Sequence, residues 1–417
     1  MAPTILVNGI ALDLDGVEYR VTVSHGRNDI TSGPTPSDAS MTLIGFLDIP
    51  VDISDSVEVQ AYGVTRFTGR VTDVTLGHDW NPNGPTLGVG DTDYVARLDV
   101  VMIGNLSRLG LEFVGAAGYA EELLNDRVEN ILTDAAVTFA NNSDPVMNQL
   151  ALDALDGGYS ALALLTSLAT ETGGTLCDLP NGAVLWESYS RRGYGYNPAT
   201  WADLDPLDTF ADVPYIWADV YDRVDTSSPT VELPHTSVAW TPIWRNTAQT
   251  ILNDVTVSYG AGGAFTETDT DPASIVTHGR RAFTLETQLA DAGDAQARAS
   301  DVIRTQSEPR YAVQAIEVLV ETLTDPLRAD LLAVISGSKV GIDLMPQPAP
   351  IDDFIGVCEG WTETWTPGLD RLVLSLSDPR FSYQVVRWDE VDPVLTWADV
   401  DTNIQWYNVV TADDLVA

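Results

Sequence analysis

Hydrophobic and polar residues alternate through much of the first hundred positions. Residues 19–24 (YRVTVS), 39–44, 57–62 and 67–74 place apolar side chains at every second position, the period at which successive side chains of an extended chain point to opposite faces. Gly26, Ser32-Gly33-Pro34, Asp48-Ile49-Pro50 and Gly63 punctuate these runs as turns. The pattern predicts an all-β barrel or sandwich, with a surface loop over 77–93 and a further strand over 95–103.

From Gly104 the period lengthens. Leu124, Val128, Ile131, Leu132 and Ala135 lie on one side of a helix predicted over 119–136. Leu162, Leu165, Leu168 and Ala169 do the same over 160–172, with Ser160 as N-cap and Gly173-Gly174 as the stop. Asn181-Gly182 between two apolar runs signals a hairpin over 175–186. Residues 105–190 therefore read as a small α/β unit. Residues 193–250, rich in aromatics, Pro and Asp, read as an extended connecting region. Strand texture returns at 255–259, a long helix is predicted over 287–305, and Asp325-Pro326 opens a short one that reaches Ile335. Strands over 313–320 and 340–344 follow, then a hairpin of 354–365 with 369–376 turned at Pro367-Gly368. Strands and helices segregated in this way predict a β-rich α+β architecture.

Composition narrows the function classes. The 417 residues suit two to four domains, and 44% hydrophobic with 20% charged residues is the composition of a packed globular protein. No run approaches the roughly 18 apolar residues of a membrane span, and the N-terminus lacks the pattern of a signal peptide, so a chain made in a cytoplasm is expected. Acidic residues outnumber basic ones 61 to 21, for a net charge of −40, and Lys339 is the only lysine. Such a field repels nucleic-acid phosphates and anionic membranes. A surface past which DNA must slide without sticking would benefit from it; solubility in high salt and GC-rich coding are competing explanations.

Candidate chemistry is sparse. Cys177 and Cys358 match no metal or redox spacing and read as buried free thiols. His25, His78, His235 and His278 are scattered, and Gly158-Tyr159-Ser160-Ala161 lacks the second glycine of a nucleophile elbow. Asp13-Leu14-Asp15-Gly16 and Asp269-Thr270-Asp271 faintly suggest calcium ligands but read as turns in a chain this acidic. No catalytic, cofactor-binding or metal-binding residue is assigned, and no enzyme is expected. One repeat is pronounced. Trp388/Val391, Trp397/Val400 and Trp406/Val409 recur at an interval of nine residues, with related units at Trp201 and Trp217. A Trp with an aliphatic residue three places on shares one face of a short turn and suits a pocket, so these units are candidate docking pegs for a partner. Packing on their own domain is the equal alternative.

Several stretches resemble minor tail proteins of long-tailed phages that infect actinobacteria, the baseplate hub or tail-associated family. They are residues 21–34 with their His25-Gly26-Arg27 turn, 39–43, the strand 67–74 (FTGRVTDV), the helix and hairpin from Thr172 to Trp186, Leu252–Tyr259, and Gly356–Glu363 (GVCEGWTE). The tryptophan repeats are similar too. The resemblance implies two tail-tube-like β-barrel domains joined by an α/β insertion: a barrel over 1–105, the insertion over 106–192, a connection over 193–265, a second barrel with its helix over 266–385, and a Trp-repeat docking tail over 386–417. It further implies a virion protein of the tail tip, a homotrimeric ring matching a six-fold tube. Its partners would be the distal tail protein, the tape measure protein and tip or receptor-binding proteins, with DNA present only in transit. Hubs of this type sometimes carry a fused hydrolase, for which the chain leaves no room after the last hairpin. A distal tail protein ring, a carbohydrate-binding adhesin with exposed tryptophans as sugar platforms, and a cell-wall hydrolase are the alternatives.

Overall fold

The computed structural model describes residues 2–27, 33–45, 51–80, 94–142, 150–188, 231–238, 244–245, 251–309, 312–343 and 354–377. Among them none of the helices is long and apolar enough to cross a membrane.

The alternating segments do become strands, and tertiary pairing lengthens several of them. The run expected over 67–74 lies within Val64–Trp80, which is paired on one side with Ser56–Ala61 and on the other with Tyr94–Ile103. Tyr62 and Gly63, with φ of 52° and 80°, make the tight turn before it, a geometry whose twist matches the flanking strands. Two short strands near the N-terminus, Thr4–Val7 and Ile10–Ala11, complete this edge.

All of these strands belong to one twelve-stranded sheet. Its path runs Val231–Pro234, Lys339–Asp343, Phe354–Thr366, Glu18–Gly26, Asp38–Ile44, Tyr94–Ile103, Val64–Trp80, Ser56–Ala61, Thr4–Val7, Ile10–Ala11. Leu369–Ser377 pairs along the other edge of Phe354–Thr366, with Ala315–Leu319 beyond it. Separate barrels were expected; among the described residues no sheet closes on itself, and the two halves are continuous.

The continuity rests on the 13-residue strand Phe354–Thr366. Its first residues pair with Lys339–Asp343 and its later ones, Gly360 to Trp365, with Glu18–Gly26. The register against Leu369–Ser377 shifts between Cys358 and Gly360, leaving Glu359 as the bulged residue at the changeover. Trp361 and Trp365, four residues apart on one face of this strand, enter the core of the C-terminal lobe and that of the N-terminal lobe respectively.

The third core is mixed α/β. The helix Leu124–Asp134 is shorter than its apolar pattern, and Ala161–Thr172 begins at the Ser160 cap and ends on Gly173 at φ 77°. The hairpin Thr175–Asp178 and Val184–Glu187 turns through Gly182 at φ 82°. Against these pack the strands Asp254–Tyr259, Phe265–Thr270 and Ala282–Glu286 and the helix Ala292–Gln306. That last helix starts at Ala292, five residues later than its periodicity predicts, because Leu289 bridges to Leu152 and Asp291 stands as the N-cap, accepting the Gly293 amide. The helix Asp325–Leu332 has Thr324 at its N-cap position, without a side-chain capping bond, and stops short of Ile335.

Candidate functional site: the buried junction of three modules

Where the shared strand changes partners, backbone approaches backbone too closely for side chains. A Cβ on Gly26 would lie 2.3 Å from the Glu359 carbonyl oxygen, and one on Gly360 2.3 Å from that of His25. Gly26 also has φ of 70°. This close contact brings ionisable residues of distant segments into one buried junction.

Arg27 donates to the Glu359 carboxylate at 2.8 Å, and the Ser377 hydroxyl donates to its other oxygen. Arg66, fully buried, bonds Glu363 through Nε at 2.7 Å and through its terminal nitrogen, and donates to the carbonyl of Leu332. One guanidinium thus ties the N-terminal lobe to the shared strand and to a helix of the C-terminal lobe. A planar fork of donors is suited to this task, and its desolvation is offset only while every partner is in place.

His25 stacks on Trp361, with ring centroids 4.6 Å apart and an interplanar angle of 24°. Its Nε2 lies 2.7 Å from the Arg66 carbonyl, which can only accept, so Nε2 carries the proton. Its Nδ1, 2.6 Å from Ser37 Oγ, then accepts from that hydroxyl. Burial pushes the imidazole down to about 4. Asp178, from the hairpin of the α/β core, accepts the backbone N–H of Ser37 at 2.8 Å and of Leu106 at 2.7 Å. Burial raises its carboxyl to about 6 against the opposing effect of those two donors.

Ser, His and Asp here have the composition of a hydrolytic triad but not its geometry. The carboxylate binds the serine backbone instead of the imidazole, the second imidazole nitrogen is held by a carbonyl, and Ser37 is 1% exposed. An imidazole held near 4 is also a poor base at neutral pH. The arrangement is a three-way tie. A cleft of about 190 Å³ opens beside it, bordered by Ser24, Thr35, Asp38, Thr362 and Ser375, below the roughly 300 Å³ at which small-molecule sites begin.

The proposed docking residues Trp388, Val391, Trp397, Val400, Trp406 and Val409, like Trp201 and Trp217, lie outside the described residues. Cys177 and Cys358 are free and buried in this same region, where desolvation raises both thiols, that of Cys358 to about 12. Asp13 accepts the Asp15 amide at 3.0 Å in a turn, and Asp271 caps the helix Pro272–His278. Sequence reasoning singled out His25-Gly26-Arg27 and Glu359-Gly360-Trp361 only as motif text. Their mutual contact, and the roles of Ser37, Arg66, Asp178 and Glu363, carry no local signal.

This architecture is one shared with phage tail proteins. A tail protein from Neisseria meningitidis superposes with a TM-score of 0.60 at 14% identity, over 91% of this chain and 97% of that one. The 43 kDa tail protein of prophage MuSo2 from Shewanella oneidensis gives 0.58 at 11% identity, over 91% and 98%. No family model matches the sequence, and no curated protein does.

Proposed function

We propose that this chain is a structural baseplate hub, a minor tail protein at the tip of a long-tailed phage of actinobacteria. In this reading it assembles as a homotrimer whose two sheet lobes act as tube-like domains. It closes the tail tube, links the distal tail protein and tape measure protein to tip or receptor-binding proteins, and leaves a channel for DNA ejection. The observation that carries the reading is the near-complete, end-to-end correspondence of fold with the two tail proteins. The junction supports it: shared strand pairing and buried ion pairs join the two sheet lobes, and the Asp178 carboxylate ties the α/β module to them, as suits a ring subunit under mechanical stress. The net charge of −40 is consistent with a lumen that does not retain DNA. Trp388/Val391, Trp397/Val400 and Trp406/Val409 are proposed to dock on a neighbouring subunit or partner.

The test is the solution mass of the full chain by light scattering, followed by two-dimensional averaging of electron micrographs. A trimer with a central hole is expected. A six-fold ring would move the assignment to the distal tail protein.

A further inference from the structure

Residues 272–285 contain no acidic side chain, in a chain where acids outnumber bases 61 to 21. They form the helix Pro272–His278, a short turn, and most of Ala282–Glu286, a strand at the edge of its three-stranded sheet. Across 276–284 every residue but His278 is exposed. Val276, at 87%, is the most exposed large apolar side chain among the described residues, and Phe283 is 37% exposed. Between them stand Arg280 and Arg281.

The turn that carries the two arginines is clamped from beneath. Asn253, fully buried, donates through its side-chain nitrogen to the Gly279 carbonyl at 2.9 Å and to Ser274 Oγ at 3.0 Å. Its side-chain oxygen accepts the Arg281 amide at 2.7 Å, and its own amide donates to the Arg281 carbonyl at 3.1 Å. A backbone fixed in this way loses little entropy when a partner engages it. The acids nearby leave the surface basic. Asp254 accepts Arg280 Nε at 2.7 Å while that side chain stays 67% exposed, Asp271 is taken up in capping the helix, and Glu286 stands at the far end of the strand. The Arg281 side chain has no bond or ion pair among the described residues.

The complementary chemistry stands in residues 386–417, which hold seven acidic residues and one basic one. Trp388 is followed by Asp389 and Glu390, and Trp397 by Asp399, so each unit offers an indole and a carboxylate within two positions. The unit Trp406-Tyr407-Asn408 lacks the acid. Two guanidiniums flanked by exposed apolar side chains suit an indole with a carboxylate, because arginine both bonds carboxylates and stacks on aromatic faces. We infer that the surface formed by residues 276–283 is the dock for the Trp388 and Trp397 units of a neighbouring copy of this chain. The inference rests on the hub reading in requiring copies side by side. A net charge of −40 sets those copies against each other; a basic surface matched to an acidic segment turns one contact attractive and fixes which faces meet.

The test is photo-crosslinking of the full chain carrying p-benzoylphenylalanine in place of the exposed Ala282, between Arg281 and Phe283. Illumination is expected to give a covalent species of two chains, with the link mapped by mass spectrometry to residues 386–400. Arg281→Glu, which sets a carboxylate against the acids, lowers its yield about tenfold or more. The double change Trp388→Ala and Trp397→Ala, made outside the dock, lowers it as well. Links confined to one chain, links to other segments, no link, or a yield that either variant leaves unchanged overturns the inference. A three-fold ring that forms without these links leaves the hub reading standing, whereas a six-fold ring that shows them keeps the dock and discards the hub.

Discussion

The N-terminal lobe and the α/β core bury similar sets of aliphatic side chains but gather them in different ways. Apart from Trp365, the lobe draws its core from residues 5 to 102, where contiguous hairpins bring alternating residues onto one face. The α/β core joins two segments, Leu106 to Trp186 and Val255 to Val302, that are far apart in the chain. Polar bonds stitch them together: Arg127 donates to the Gln288 side-chain oxygen at 3.4 Å, the Gln288 amide to Glu171, and Arg298 to the Glu171 carbonyl. A core made from neighbours in sequence is specified by local period. One made from distant segments is specified by shape and by such bonds.

The contrast can be broken most severely at the junction. Arg66→Ala leaves Glu363 buried and unpaired, and a loss of about 3–5 kcal/mol in urea unfolding is expected, enough to separate the lobe transitions. A loss under about 1 kcal/mol would mean that the tie is dispensable.

Leu165→Ala sharpens the comparison from within the composite core. A cavity there costs about 2–5 kcal/mol, and amide protection is expected to fall at 255–257 and 295–302 as well as at 124–168. Loss confined to 124–186 would show two separate cores.

The third effect is pH-dependent. Because the folded His25 value is depressed from 6.5 to about 4, its contribution is complete above the unfolded value and is lost as pH falls through that window. Asp178, raised to about 6, contributes the opposite slope, with stability falling as pH rises from 3.8 to 6. The difference between wild type and His25→Gln isolates the histidine, and it should shrink by about 2 kcal/mol from pH 7 to about pH 5 in denaturant titrations. A difference independent of pH would refute the assignment of the neutral imidazole.

The smallest effect is local. Gly173→Ala forces a Cβ into the left-handed region at the end of Ala161–Thr172 and should cost about 1–2 kcal/mol without altering lobe coupling.

The elements themselves were largely legible. The strand runs in the first hundred residues, the Ser160 and Gly173 caps, the Asn181-Gly182 turn and the closing hairpin follow from period and turn chemistry, which act over a few residues. Lengths were less so. Val64–Trp80 extends past its apolar pattern because it is paired on both sides, and the helix at Ala292 starts late because Leu289 is taken by a strand contact. The junction was not legible at all: Arg27 and Glu359, 332 positions apart, or Arg66 and Glu363, 297 apart, are ordinary surface residue types until the shared strand brings them together.

By itself, then, the sequence determined where the chain is extended, where it coils and where it turns, because those choices depend on side-chain period and backbone sterics within one or two turns of each residue. Only the tertiary structure decided that one bulged strand would serve two lobes, that two distant segments would share a core, and that a handful of charges would be buried between them. Those outcomes depend on which surfaces exclude water together, and that is a property of the assembled chain.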